Sequence, residues 1–113
     1  MPKPAAFSRV SRLGLRLDEV EIGTSYGSPA LKVRGRMFAC IPTHRSAESG
    51  SLAVRMSLVE RDLRLRAQPD VYYLKPHYEP YPMILARLGK LSDEELAELL
   101  EVGWLFERSK RRR

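Results

Sequence analysis

Residues 30–41 read ALKVRGRMFACI, and this stretch predicts a β-hairpin at the centre of the fold. The first strand alternates apolar and basic side chains, in the order Leu31, Lys32, Val33 and Arg34. Such alternation is typical of a strand with one apolar face and one cationic face. Gly35 supplies the positive φ of a tight turn, and residues 37–41 form the return strand. Because the return strand is apolar on both faces, we expect it in the interior of a sheet.

The clearest helix is predicted at 92–107, where Ser92 and Glu95 make a capping box ahead of an apolar stripe. That stripe consists of Leu96, Leu99, Gly103, Phe106 and the two expected core anchors, Leu100 and Trp104. A second Ser-x-x-Glu capping box at 57–60 predicts a short helix, which ends before Pro69 because the residue preceding a proline avoids the helical region.

Alternation and apolar spacing place the remaining elements around this frame. They are a helix at 7–17, strands at 19–26, 52–57, 71–74 and 83–88, a polar loop at 42–51 and a Pro- and aromatic-rich loop at 75–82. The element order is therefore α-β-β-β-β-α-β-β-α, without βαβ alternation. This order predicts a compact single-domain α+β fold, an antiparallel sheet with helices packed on one side.

Composition fits one globular domain. The chain has 113 residues, of which 43% are hydrophobic, a length and apolar content sufficient for one packed core. Cys40 is the single cysteine, so no internal disulfide can form. No apolar run approaches the roughly 20 residues of a membrane span, and the first residues lack the apolar region of a secretory signal. We therefore expect a cytoplasmic protein without membrane contact.

The net charge of +6 is unevenly distributed. Five of the 20 basic residues lie at the end of the chain: Arg108, Lys110, Arg111, Arg112 and Arg113. Residues 1–107 hold the other 15 basic side chains and all 14 acidic ones, so this part is close to neutral. We accordingly divide the chain into a folded domain at 1–107 and a basic tail at 108–113.

Three stretches together resemble the MmcQ/YjbR family. They are residues 23–33 (GTSYGSPALKV), 73–88 (YLKPHYEPYPMILARL) and 96–104, within a resemblance that spans roughly residues 8–106. The first is similar to the family's strand leading into a Gly-x-Pro turn. The second is similar to its Pro-His-aromatic loop, followed by Tyr-Pro and an apolar strand. The resemblance implies a fold of the CyaY-like group and the label "DNA-binding, double-wing", and it brings no catalytic residues.

The residues themselves argue against catalysis. The two histidines, His44 and His77, lie in separate loops, and Cys40 lies in a strand expected to be buried, where a thiol is inert. One cysteine and two separated histidines do not make a zinc set. The acids at the start of the last helix are explained by capping and by the helix dipole. We expect no enzymatic activity, no metal site and no cofactor.

Binding features are stronger, and three segments carry them. Lys32, Arg34 and Arg36 surround the hairpin tip, where they could contact a phosphate backbone; a solvated strand face is the alternative. Lys75, His77, Tyr78 and Tyr81 combine charge with stackable rings; a rigid Pro-aromatic corner is the alternative. The tail residues Arg108, Lys110, Arg111, Arg112 and Arg113 would add phosphate contacts, or form an inconsequential end.

The leading hypothesis is a non-enzymatic DNA-binding or regulatory module that uses the hairpin tip and the tail. The second is an adaptor or small-ligand binder that uses the Pro-His-Tyr loop, and an enzyme of unknown type is third. The first predicts that the hairpin cations and the tail share one face. The second predicts that His77 and Tyr81 line a pocket of some hundreds of cubic ångströms.

Overall fold

The computed structural model describes residues 5–110, which form one six-stranded antiparallel sheet and three α-helices. The helices are α1 (Ala5–Gly14), α2 (Leu58–Ala67) and α3 (Asp93–Arg108), with a 3₁₀ turn at Leu88–Lys90. The strands are β1 (Val20–Ser25), β2 (Ser28–Val33), β3 (Arg36–Cys40), β4 (Ser51–Arg55), β5 (Tyr72–Tyr73) and β6 (Met83–Arg87). The α+β class and the element order predicted from sequence are confirmed.

The hairpin of β2 and β3 lies inside the sheet, whose strand order is β1-β2-β3-β4-β6-β5. Its turn is formed by Arg34 and Gly35, which both have positive φ (53° and 78°). Two consecutive positive-φ residues are typical of the turn that matches the twist of paired strands. Arg34 therefore belongs to the turn, and the prediction that it continues the cationic face of the strand is wrong.

The main hydrophobic core lies between one face of the sheet and the helices α1 and α3. Fully buried side chains from the sheet and from both helices form it, among them Phe7, Val10, Leu31, Phe38, Leu52, Ile84, Leu96, Leu99 and Leu100. The opposite face carries a smaller apolar cluster, which includes Cys40, Tyr73, Tyr78, Met83 and Leu85. The placement of the helices on one side of the sheet is as predicted.

Helix α3 approaches the sheet most closely at Gly103, which is buried. A Cβ atom at this position would lie 2.8 Å from Cγ1 of Val54, 3.0 Å from the carbonyl oxygen of Phe38 and 3.1 Å from that of Arg55. Leu100, one turn earlier, is fully buried and is a core anchor as predicted. Trp104 is half-buried, and its indole N–H donates to the carbonyl of Asp18 at 2.8 Å. Trp104 packs against the main core but is only partly buried, so the prediction that it is a core anchor is confirmed in part.

The two predicted capping boxes differ in the structure. At α3 both halves form, with the Ser92 side chain and the Glu95 side chain each bonded to the other's backbone N–H. At α2 the Ser57 hydroxyl accepts from the N–H of Glu60. The Glu60 carboxylate instead pairs with Arg64, one turn later, at 2.8 Å. The full capping box predicted at 57–60 is therefore wrong, because the Glu60 carboxylate pairs with Arg64 instead of the backbone N–H of Ser57.

Two elements are shorter than predicted. Helix α1 ends at Gly14 instead of Leu17, after which the chain tightens into bonds between residues three apart. Leu15, which lies within the helix predicted at 7–17, is consequently half exposed. Strand β5 is limited to Tyr72–Tyr73. Within residues 5–110, no helix has the length and apolarity needed to cross a membrane.

We predict that Gly103→Ala destabilises the protein, although alanine is the better helix former. Overpacking a methyl group against two carbonyl oxygens costs about 1–3 kcal/mol, whereas helix propensity returns about 1 kcal/mol. Urea melts of Gly103→Ala and Gly89→Ala provide the comparison, because a Cβ at Gly89 would contact nothing within 4 Å. Equal unfolding free energies for the two variants would show that α3 does not need this close approach.

Candidate functional site

The sheet face opposite α1 and α3 carries an open cleft of about 840 Å³. It is surrounded by loop residues 41–44 and 77–81, by the β1–β2 turn and by the last turn of α3. Its floor includes Met37, Cys40 and Met83. This volume is within the range of small-molecule sites, which are typically mostly apolar with a few placed polar groups.

One end of the cleft is cationic. Arg36, Arg55 and Lys110 line it together with a single carboxylate, that of Glu107. Glu107 is only 3% exposed, and its Oε2 atom accepts from Nε of Arg55 at 3.1 Å and from Nζ of Lys110 at 2.9 Å. A buried carboxylate that holds two cations fixes their positions in advance. Three positive groups and one negative group leave this end positively charged.

The other end of the cleft is aromatic. The rings of His44 and His77 stack with centroids 3.8 Å apart and planes within 10°. The Tyr78 ring meets both edge-on, and its hydroxyl accepts from the backbone N–H of His44 at 3.2 Å. Tyr26 stands at the β1–β2 turn with 95% of its surface exposed. These contacts join the loop after β3 to the loop before β6.

The two ends are separated along β3. Arg36 begins this strand at the cationic end, whereas Cys40 ends it just before the segment that leads to His44. Four steps along a strand span about 13 Å. Register places Tyr26 at the aromatic end, because Ser25 pairs with Ser28 and the Ser28 hydroxyl donates to the carbonyl of Ile41. The cleft thus has a cationic end and an aromatic end, with an apolar floor between them.

The structure brings together five of the predicted site residues in this cleft: Arg36, His77, Tyr78, Tyr81 and Lys110. Of these, Tyr78 is 7% exposed, so its ring supports the two histidines instead of offering a free stacking surface. Tyr81 is half exposed at the rim. The loop at 75–82 is therefore both a rigid aromatic corner and part of a cleft.

Four other predicted residues lie outside the cleft lining. Arg34 pairs with both carboxylate oxygens of Glu19 and donates to the carbonyl of Arg108. Lys32 lies along Gly23 of β1. Lys75 stands over the Tyr73 ring, and the Arg108 guanidinium over the Trp104 ring. Arg111, Arg112 and Arg113 are outside the described residues. Among the described cations of the hairpin and tail, Arg36 and Lys110 line the cleft, whereas Arg34 pairs with Glu19 beside Arg108.

Sequence reasoning missed four cleft residues: Tyr26, His44, Arg55 and Glu107. The sequence does place Arg55 on the face of β4 that alternates away from Val54, opposite the helices. The exposed turn before Gly27 could similarly have drawn attention to Tyr26. No local pattern signals that Glu107 meets Arg55, since 52 residues separate them.

The cleft contains a thiol and two imidazoles, the side chains of Cys40, His44 and His77. Burial raises the pKa of the Cys40 thiol to about 11, despite the opposing effect of nearby Arg55, so the thiol is almost wholly protonated at neutral pH. The Nδ1 atom of His44 is 2.7 Å from the Ser46 hydroxyl. Among residues 5–110, no three His, Cys, Asp or Glu side chains are grouped so that they could hold a metal ion.

A second, smaller depression of about 280 Å³ lies between α2 and α3. Its cation, Arg64, is already paired with Glu60 and with both carboxylate oxygens of Glu98. The hydroxyl of Tyr72 accepts a further bond from Arg64. These partners satisfy the hydrogen-bonding groups of the Arg64 guanidinium. We therefore interpret the residues around this depression as a structural ion-pair network.

Comparison with known proteins agrees with the fold. The sequence model of the YjbR family matches residues 15–106. Uncharacterized proteins of Mycobacterium bovis and Mycobacterium tuberculosis are 37% identical over 43 residues, which is 38% of this chain and 33% of each relative. The match thus spans about a third of the length of these relatives. The crystal structure of Deinococcus radiodurans protein DR2400, a DUF419 domain, superposes with a TM-score of 0.73 at 18% identity, covering 92% of this chain and 79% of that one.

We predict that stability declines as pH falls below about 6.5, partly through His44. Partial burial lowers the pKa of His44, and the nearby charges of His77 and Arg45 lower it further. Since the unfolded ring has the ordinary pKa of about 6.5, acid protonates the unfolded state preferentially. Urea melts between pH 7.5 and 5.5 should show a weaker pH dependence for His44→Gln. An unchanged dependence would remove His44 as a contributor.

We also predict that Cys40 is slow to react with a thiol reagent such as Ellman's reagent in the folded protein. The side chain is 8% exposed and its pKa is raised to about 11, so both access and thiolate concentration are low. Labelling should become fast in denaturant. Rapid labelling of the native protein would instead reopen a nucleophilic role for this residue.

Proposed function

This chain belongs to the YjbR family, and we propose that it is a non-enzymatic binding module whose cleft takes an anionic ligand. The main support for this proposal is the cationic end of the cleft, which is lined by Arg36, Arg55 and Lys110 together with one buried carboxylate, that of Glu107. Guanidinium groups make bidentate, charge-assisted hydrogen bonds to phosphate and carboxylate. The proposal therefore favours the cleft over the hairpin tip as the centre of binding.

A binding role is supported by the state of the groups that could react. The Cys40 thiol has a raised pKa, and the His44 ring is stacked against His77. A nucleophile and a base need a mutual hydrogen bond and a third group that orients the base. In this cleft, the observed contacts instead hold the two loops together.

Nucleic acid is the macromolecular ligand that we propose, in line with the DNA-binding, double-wing label suggested by the resemblance. Lys110 lines the cleft, and three arginines follow it directly in the sequence, at 111–113. Consecutive cations in the sequence suit a chain of phosphates. We further propose a cytoplasmic setting, which suits a protein whose single cysteine is a free thiol.

We predict that pyrophosphate binds the full-length protein at low salt and that Arg36→Gln weakens this binding about tenfold. Losing a charged hydrogen bond typically costs about 1.5–3 kcal/mol. Isothermal titration calorimetry provides the measurement, with Lys90→Gln as the control. That variant removes one positive charge from an exposed position outside the cleft lining.

Equal weakening by the two variants would mean that only overall charge matters, which would contradict a cleft site. Failure of pyrophosphate to bind even at low ionic strength would overturn the proposed function itself.

A further inference from the structure

We propose that the ligand is a nucleoside phosphate, bound with its base at the aromatic end of the cleft and its phosphate at the cationic end. This inference rests on the proposed function and adds the class and orientation of the ligand. It depends on three observations: the exposure of Tyr26, the fixed cations around Glu107, and the distance between the two ends.

Tyr26 is the observation that points to a planar ring. Its side chain is 95% exposed, so it contributes little to the core, yet it lines the cleft. The turn that carries it has two consecutive positive φ values, 51° at Tyr26 and 77° at Gly27, which are typical of a tight hairpin turn. An exposed aromatic ring beside a cleft is an arrangement that stacks on nucleobases. The neighbouring stacked pair of His44 and His77 extends this aromatic end.

The cationic end is suited to a phosphate group. Glu107 holds Arg55 and Lys110 on one oxygen atom, so both cations are kept close together before any ligand arrives. Arg36 adds a third positive group. A tetrahedral phosphate offers several oxygens to such a cluster, and charge-assisted hydrogen bonds from guanidinium and ammonium groups to phosphate are strong.

The different chemistry of the two ends of the cleft favours a molecule with two different poles. About 13 Å of β3 separates the start of the strand, at Arg36, from its end, at Cys40. Between them the floor is apolar, with Met37 and Met83. A nucleoside phosphate carries its flat, apolar-faced base at one pole and its charge at the other. Inorganic phosphate would fill one end only, and an alkyl phosphate would leave Tyr26 unused.

The test compares adenosine 5′-monophosphate, hexyl phosphate and inorganic phosphate by calorimetry, using the full-length protein and the variants Tyr26→Ala and Tyr26→Phe. We expect the nucleotide to bind at least tenfold more tightly than the other two. Tyr26→Ala should weaken nucleotide binding about tenfold and leave phosphate binding unchanged. Tyr26→Phe should retain nucleotide binding, because the ring is preserved. Arg36→Gln should weaken all three. The high exposure of Tyr26 makes unfolding of these variants unexpected, and thermal melts check this.

The outcomes separate the two levels of the proposal. If hexyl phosphate matches the nucleotide, or if Tyr26→Ala has no effect, the nucleoside inference is overturned while the anion-binding function stands. If none of the three compounds binds, both are overturned. A single-stranded thymidine dodecamer distinguishes the source of the nucleotide. Tighter, Tyr26-dependent binding of the dodecamer assigns the site to single-stranded nucleic acid, and tighter binding of the mononucleotide assigns it to free nucleotides.

Discussion

Gly103 lets the backbone of α3 lie directly on β3 and β4, where even a methyl group would approach two carbonyl oxygens to about 3 Å. This contact fixes the height and angle of the helix, because the buried leucines of the preceding turns pack on the same face. It also sets the position of the C-terminal end of α3 relative to β4. Four residues later, Glu107 reaches Arg55 at the end of β4, and Lys110 follows at the edge of the cleft. The main core and the cationic end of the site thus share one constraint.

Much of this fold could be predicted from local patterns. The hairpin at 30–41, the capping box at Ser92 and the alternation along β4 each depend on neighbours within a few residues, and such patterns survive in the folded structure. Two of the errors lie where a side chain finds a partner that its own local pattern does not indicate. The Glu60 carboxylate does not complete the predicted capping box. It pairs instead with Arg64, which also bonds to Tyr72 and Glu98. Trp104 lies at the margin of the core, where its indole N–H donates to the carbonyl of Asp18.

The candidate site was only partly predictable for the same reason. Loop composition drew attention to His77 and Tyr81, because imidazole and phenol groups are recognisable binding side chains. Their counterparts come from elsewhere in the chain: Tyr26 from the first turn, Arg55 from a central strand and Glu107 from the last helix. Only the antiparallel order of the strands brings these segments together on one face. Charge counting was similarly misleading at the hairpin tip, where Glu19 neutralises Arg34.

The stacked rings of His44 and His77 have a consequence for the energetics of recognition. They connect two loops that would otherwise be independent, and the Tyr78 hydroxyl secures the same junction through the backbone of His44. The conformational entropy of these loops is therefore lost during folding, before a ligand arrives. A guest entering the cleft meets walls that are already ordered, so less of its interaction energy is consumed in arranging them. The histidine pair thus makes the cleft a preorganised receptor, in which folding bears an entropic cost that would otherwise fall on binding.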